Sequence, residues 1–162
     1  MKKKFIKSIL FLLFFSTQIF ADLSGVISKV IDADTVVLKT NQGVNYKVRL
    51  LGIDAPEIKQ IYGKEATKYL TNIVLGKTLI VKGSKKDKYK RLLGKLVLDG
   101  NDINLNLVKN GRAWHYKRYK ISQDKSDQLL YSDAEKYAKL NKLGLWSKTT
   151  PIPPWQWRKK NK

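Results

Sequence analysis

The chain has 162 residues, and 33 lysines and arginines against 13 aspartates and glutamates give it a formal net charge of +20. The absence of cysteine excludes disulfide scaffolds, thiolate metal sites and cysteine nucleophiles, and the single histidine excludes metal sites built from several histidines. The length fits one domain with a modest core, and the charge predicts a polyanionic partner, either nucleic acid or an anionic membrane surface.

Residues 1–21 have the layout of a secretory signal peptide. Lysines at positions 2, 3, 4 and 7 precede an unbroken apolar run over 9–15, and Ala21 is a small residue at the predicted cleavage point. An uncleaved anchor is disfavoured because a spanning helix needs about 20 apolar residues. Cleavage leaves 29 basic against 13 acidic residues, a net charge of +16. We therefore expect an exported protein, whether secreted, periplasmic or surface-associated, that keeps no membrane contact after cleavage.

The mature chain is predicted to form strands first and helices later. β-branched runs predict strands over 26–31 and 35–40, and the Asn-Gln-Gly turn at 41–43 predicts a hairpin after them. The next strand, 44–50, alternates in polarity, so that Val48 and Leu50 face the core and Arg49 points away from it. Two further strands are predicted over 77–82 and 91–98.

Three helices are predicted among and after these strands. The first has apolar residues at helical spacing from Ala66 to Val74 and ends at Gly76, and shorter patterns cover 103–110 and 127–142. Five strands with three α-helices predict an α+β chain, a five-stranded Greek-key β-barrel of the OB type, over residues 22–150. The tail at 151–162, rich in proline, tryptophan and lysine, is predicted to be an ordered strap or a loose basic arm.

Four of the 13 acidic residues fall in two short segments beside strands, namely Asp32, Asp34, Asp54 and Glu57. Such a cluster beside Arg49 in so basic a chain is costly unless a cation is held there. Oxygen ligands without histidine or cysteine point to Ca²⁺ or Mg²⁺. The alternative for each segment alone is structural, with the first two aspartates capping a turn and 54–57 forming a plain strand exit.

Taken together, the motifs resemble those of the thermonuclease family, the relatives of staphylococcal (micrococcal) nuclease. Three separated segments carry the resemblance: VIDADT at 30–35, RLLGIDAPE at 49–57 and DKYKR at 87–91. Residues 62–66, 111–114, 144–146 and 151–158 are similar to segments of bacterial members, so the likeness spans the mature chain. It implies an OB-fold enzyme that hydrolyses DNA and RNA with Ca²⁺ and releases 3′-phosphorylated products.

The same resemblance implies a calcium site formed by the carboxylates of Asp34 and Asp54 with the backbone carbonyl of Ala55. The family prototype has a threonine at the position of Ala55, a difference of little consequence because the expected contact is a backbone atom. Asp32 is expected either to reach the ion through water or to cap the turn.

The resemblance assigns catalysis to Glu57, which activates or orders the attacking water, and to Arg49 and Arg91, which clamp the scissile phosphate. These residue types suit the chemistry on independent grounds. Guanidinium forks neutralise charge on phosphate oxygens without proton transfer, and a carboxylate can order or deprotonate water.

Substrate contacts are predicted at Lys88, Tyr89 and Tyr119, with a solvated loop as the alternative for the first two. The match weakens near Tyr119, where the tyrosine spacing departs from that of the prototype. Lys90 stands at a position that is often glycine, so the loop before Arg91 is expected to bend differently from the prototype's.

We therefore predict an exported, calcium-dependent, sugar-nonspecific endonuclease that acts as a monomer on DNA and RNA, without a stable protein partner. The main alternative is a non-catalytic OB-fold nucleic-acid-binding protein, which the presence of all five charged site residues disfavours. A membrane-active cationic protein is disfavoured as well, because 127–142 is too acidic at its start and too weakly apolar.

Overall fold

The computed structural model describes residues 22–83, 85–147 and 150–161, except for the side chains of Tyr119 and Lys120. The predicted signal peptide, 1–21, lies outside these ranges, and its cleavage stays a prediction. Within them, no helix is long and apolar enough to cross a membrane.

The strands of the described ranges follow one another as β1 (Leu23–Asp32), β2 (Thr35–Lys39), β3 (Asn45–Leu50), β4 (Ile53–Asp54), β5 (Thr78–Lys82), β6 (Leu92–Leu98), β7 (Asn101–Asp102) and β8 (Trp114–His115). Neighbours in the order β3-β2-β1-β5-β6 are antiparallel, and parallel pairing of β3 with β6 closes the ring. The five longer strands thus form the predicted OB-type barrel. The two-residue strands β4 and β8 pair with each other beside it.

The same ranges contain the helices α1 (Gly63–Val74), α2 (Ile103–Lys109), α3 (Lys125–Leu140) and α4 (Pro154–Lys160). The first three correspond to the predicted helices. The fourth was not predicted, because the tail was expected to be a strap or a loose arm. Pro154 stands in its first turn, where the missing N–H of proline removes no helical hydrogen bond.

The core lies inside the barrel and under α1 and α2. Val48 and Leu50 of β3 are buried, as the alternation predicted. Leu70 and Val74 bury the apolar face of α1, and Leu107 does the same for α2. Each buried side chain of this size contributes about 1.5–3 kcal/mol, so this packing makes β3 a firm support for the residues on its other face.

The parallel seam between β3 and β6 determines where the site forms. In its register Arg49 lies opposite Leu93, so the end of β3 meets the beginning of β6. The segments 49–57 and 87–91 leave the barrel at this same end. Two motifs that are far apart in the sequence are therefore neighbours in the fold.

Candidate active site

A cavity of about 700 Å³ opens at this end of the barrel. It is lined by eight of the nine residues predicted for the site: Asp34, Arg49, Asp54, Ala55, Glu57, Lys88, Tyr89 and Arg91. The ninth, Tyr119, has its side chain outside the described part of the structure, and its predicted contact is untested. The neighbouring Tyr116 lines the cavity.

The two central carboxylates come from different turns. Asp34 lies between β1 and β2, and Asp54 lies in β4. The backbone N–H of Leu50 donates to the carbonyl of Asp34 at 2.8 Å, and the N–H of Ala55 donates to Oδ2 of the same aspartate at 2.8 Å. These hydrogen bonds connect the Asp34 turn to the end of β3 and to the residue after Asp54, and both aspartates are buried.

Arg49 joins the two carboxylates. Its Nη2 lies 3.0 Å from Oδ2 of Asp34 and 2.9 Å from Oδ1 of Asp54, while Nη1 donates to the carbonyl of Leu50 at 3.0 Å. The arginine is on the face of β3 opposite to Val48, as predicted. Because buried charges are costly unless compensated, this cation makes the burial of two carboxylates tolerable.

The oxygen atoms of the two buried aspartates are possible ligands for a hard cation. Within the described ranges, no group of three or more histidine, aspartate or glutamate side chains is arranged to hold a metal ion. The carboxylates of Asp34 and Asp54 nevertheless lie close enough for one nitrogen of Arg49 to contact both. Two carboxylates, backbone carbonyls and water are ligands that Ca²⁺ accepts, so these residues fit a cation that keeps much of its hydration.

Asp32 has the turn-capping role that was one of its two predicted alternatives. Its Oδ1 accepts from the backbone N–H of Asp34 at 3.0 Å, and the residue also lines the cavity. Burial, and next the adjacent charge of Asp34, raise the pKa of Asp32 from 3.8 to about 7. Ionisation of the Asp32 side chain is therefore disfavoured in the folded chain.

We expect Asp32→Asn to stabilise the protein in the presence of chelator at pH 8. An acid whose pKa is raised in the folded state binds more protons folded than unfolded. Its contribution to stability is present below pH 3.8 and is lost as the pH rises to about 7. The slope for one group is at most about 1.4 kcal/mol per pH unit.

The measurement is thermal unfolding of both proteins with chelator at several values between pH 4 and pH 8. The difference in stability between them should grow from about pH 4 to about pH 7. The asparagine oxygen can still accept from the N–H of Asp34, so the turn is preserved. A difference between the two proteins that does not grow with pH would contradict the raised pKa.

Arg91 is held by Asp87. The Oδ2 atom of Asp87 accepts from Nε of Arg91 at 2.8 Å and lies 2.7 Å from its Nη2, while Oδ1 caps the loop through the N–H groups of Tyr89 and Arg91. Burial alone would raise the pKa of Asp87, but the hydrogen bonds from Arg91 outweigh it and lower that pKa. The guanidinium thus has a fixed, ionised partner.

The loop before Arg91 adopts the backbone that a glycine would favour. Lys90 has a φ of 62°, in the left-handed region. The lysine therefore does not change the backbone conformation at this position from the one that glycine favours. The hydrogen bonds to Asp87 hold the turn closed around it. Beside it, the exposed ring of Tyr89 lies 5.0 Å from Nζ of Lys88 and 5.4 Å from Cζ of Arg91.

Glu57 is half-buried at the rim, in a turn that leads into α1. Its N–H donates to Oε1 of Gln60 at 3.3 Å, and its carbonyl accepts from the N–H of Gln60 at 2.8 Å. A Cβ on Gly63 would collide with the carbonyl of Glu57, so glycine is required where α1 begins. The close approach at Gly63 thus determines where the Glu57 turn lies.

Sequence reasoning assigned no site role to Asp87 or to Arg158, two charged residues that line the cavity. Arg158 of α4 lines the cavity, with Nη1 2.6 Å from Oε1 of Glu57 and Nη2 2.8 Å from Oδ2 of Asp54. Burial raises the pKa of Asp54, and the hydrogen bonds from Arg158 oppose that rise. For Arg158 the sequence signal was the Trp-Gln-Trp-Arg string in the tail, which was compatible with an ordered strap or a loose basic arm and did not predict where the segment would dock.

Comparison with known proteins identifies the family. The profile of the family described as Staphylococcal nuclease homologue matches residues 47–148. An uncharacterized endonuclease of Escherichia coli O157:H7 is 38% identical over 159 residues, 96% of this chain and 97% of that protein. One of Haemophilus influenzae is 37% identical over 134 residues, covering 83% and 72% of the two chains. The staphylococcal-like nuclease CAN1 of Arabidopsis thaliana is 40% identical over 114 residues, which are 70% of this chain and 33% of the plant protein.

Proposed function

The chain belongs to the staphylococcal nuclease family, and on that premise we propose that it is an exported endonuclease that uses Ca²⁺ to hydrolyse both DNA and RNA. The products are proposed to carry 3′-phosphates, and the protein to act as a monomer. The observation that carries the proposal is one cavity that contains two buried aspartates, a rim glutamate and the guanidinium groups of Arg49 and Arg91. A pure binding module has no need of the glutamate beside the arginines.

Asp34, Asp54 and the backbone carbonyl of Ala55 would hold the ion. When bound, Ca²⁺ supplies positive charge that stabilises the developing phosphate charge and helps to orient the attacking water. The two carboxylates already lie close together, because a single nitrogen of Arg49 contacts both.

The two arginines are proposed to bind the scissile phosphate. Within the described part of the chain, the side-chain hydrogen bonds of Arg91 go through Nε and Nη2, which leaves the Nη1 amino group for a phosphate oxygen. Arg49 lines the same cavity. Two guanidinium groups that are already oriented stabilise a charge that grows during the reaction, with little reorganisation at that moment.

Glu57 is proposed to act on the attacking water. In the described structure its Oε1 accepts from Arg158, so Oε2 remains to accept a proton from water or to orient it. Its position at the half-buried rim gives water access to that oxygen. A carboxylate in this role contributes through orientation and proton acceptance, both of which require a fixed side chain.

The decisive experiment is digestion of single- and double-stranded DNA and of RNA by the exported, purified protein. We expect cleavage with Ca²⁺, none with chelator, and fragments that a polymerase extends only after phosphatase treatment. Mass spectrometry of the same protein tests export by asking whether it begins at Asp22. Binding without cleavage in the presence of Ca²⁺ would instead identify a non-catalytic nucleic-acid-binding protein.

Binding should depend strongly on salt and little on base sequence. After the predicted cleavage a net charge of +16 remains, carried by lysines and arginines throughout the chain, and each phosphate they neutralise releases counterions. For a single strand with about three such contacts, affinity should fall about tenfold or more between about 50 and 200 mM salt. Fluorescence anisotropy with chelator present measures this slope. A shallow slope, or one sequence preferred at high salt, would contradict the proposal.

A further inference from the structure

The C-terminal helix α4 brings a third guanidinium to the cavity. Arg158 contacts both oxygens of Asp54, with Nη1 3.2 Å from Oδ1 and Nη2 2.8 Å from Oδ2. Its contact with Oε1 of Glu57, at 2.6 Å, is shorter than either. One rigid, planar group therefore bridges a buried carboxylate and a carboxylate at the rim.

The helix that carries Arg158 is anchored at two further points. The ring of Trp155 stacks on Tyr116 at 5.4 Å and meets the edge of Trp114 at 5.6 Å. Ahead of the helix, the side-chain amide of Gln60 donates to the carbonyl of Ile152, while its oxygen accepts from the N–H of Glu57. The C-terminal segment thus contacts the Glu57 turn through the backbone carbonyl of Ile152 as well as through the guanidinium of Arg158.

Asp54 and Glu57 differ in how firmly they are held. The Asp54 side chain is 1% exposed, whereas that of Glu57 is 35% exposed and has more rotatable bonds. A planar guanidinium that binds the buried carboxylate of Asp54 has a fixed orientation. Its hydrogen bond to Glu57 therefore also fixes the orientation of that more exposed carboxylate. Without Arg158, no side chain among the described residues would hold the carboxylate of Glu57.

We propose that Arg158 is a positioning residue of the active site, which fixes Oε1 of Glu57 so that Oε2 can orient the attacking water. This inference rests on the proposed nuclease function, in which Glu57 acts on that water. It makes α4 a working part of the site. The helix lies outside the segment 47–148 that matches the family profile.

The bridging arginine is compatible with a cation on Asp54. Arg49 and Arg158 make three hydrogen bonds to that carboxylate. A carboxylate has about four lone-pair sites, so one remains for a cation. A guanidinium that merely filled the place of a cation would need no contact with Glu57, yet that contact is its shortest.

The test compares Arg158→Ala and Arg158→Lys with the parent, and uses Lys159→Ala as the matched control. Lys159 is an exposed neighbour in α4, so its loss removes the same charge from the same helix. At saturating Ca²⁺ we expect Arg158→Ala to lower kcat about 10–100-fold, the scale of a catalytic group misplaced by about 1 Å, with little change in KM. Arg158→Lys should recover part of the loss, and the control should behave as the parent.

A second measurement needs no cleavage. In chelator, the melting temperature is compared for the parent, Glu57→Ala, Arg158→Ala and the double variant, because alanine at position 57 cannot accept from Arg158. We expect the shift caused by Arg158→Ala to be smaller when Glu57 is already replaced, because the two residues share one contact. Circular dichroism of each variant establishes that the substitution has not unfolded the barrel. If Arg158→Ala is unfolded, Arg158→Lys takes its place in the comparison.

An Arg158→Ala protein that cleaves at nearly the parent's kcat would overturn the inference. If calorimetry also showed tighter Ca²⁺ binding, Arg158 would merely compete with the ion for Asp54. Additive melting shifts would equally contradict a shared contact. A parent that cleaves nothing overturns the proposed function and this inference together, whereas a cleaving parent beside an unaffected variant overturns the inference alone.

Discussion

Replacement of Glu57 by glutamine is expected to slow phosphodiester hydrolysis by about 10²–10⁴-fold, the usual contribution of a positioned general base. Glutamine keeps the volume, and its amide oxygen can still accept from Arg158, but it cannot take a proton from water. Binding of nucleic acid should survive or tighten, since one negative charge has left a phosphate site. The structure of the cavity should change little.

The comparison requires saturating Ca²⁺, because Glu57 is close enough to Asp54 to influence the ion through Arg158. Single-turnover rates and anisotropy on the same oligonucleotide separate cleavage from binding. Glu65→Gln is the matched control, as Glu65 is an exposed glutamate in the first turn of α1. A Glu57→Gln protein with nearly the parent rate would leave the mechanism to the arginines and the ion.

Arg49→Lys should lower kcat/KM by about 10²–10³-fold, the cost of removing one preorganised donor to a developing charge. Arg49 contacts Asp34, Asp54 and the carbonyl of Leu50 at once, which a planar fork can do and an ammonium cannot. The lysine keeps the positive charge, so long-range attraction of nucleic acid should persist. The variant therefore separates geometry from charge.

Steady-state kinetics at saturating Ca²⁺ measures the effect, with thermal melting to confirm that the barrel is intact. Arg118→Lys provides the control, because Arg118 is exposed and lies in the short 3-10 helix Lys117–Ser122. If Arg49→Lys retained most of the parent's kcat/KM, a point charge would suffice at this position, and the planar guanidinium would not be required for the mechanism.

The parts of the fold that sequence reasoning predicted well have a strong periodic signal. β3 alternates over six residues, and α1 repeats its buried positions at helical spacing, so both elements were placed to within a few residues. The barrel itself followed from the order of five such strands. β4 and β8 have two residues each and no period to detect, although Asp54 lies in one of them.

The site divides in a similar way. Eight predicted residues line one cavity because their motifs flank barrel strands, whose pairing is itself encoded by the hydrophobic pattern. Arg158 was missed because its place depends on the docking of Trp155 against Trp114 and Tyr116, a contact between segments with no local pattern in common. The departure in tyrosine spacing that weakened the match near Tyr119 also left Tyr116, which lines the cavity, unassigned.

The parallel seam between β3 and β6 ties the formation of this site to the closure of the barrel. Arg49 is the last residue but one of β3 and Arg91 directly precedes β6, and the two strands pair only when the ring of five closes. Contacts between segments so distant in sequence form slowly, because the intervening chain must first lose its conformational freedom. Partly folded chains with the helices and hairpin already formed would therefore be inert, and the appearance of activity would report ring closure itself.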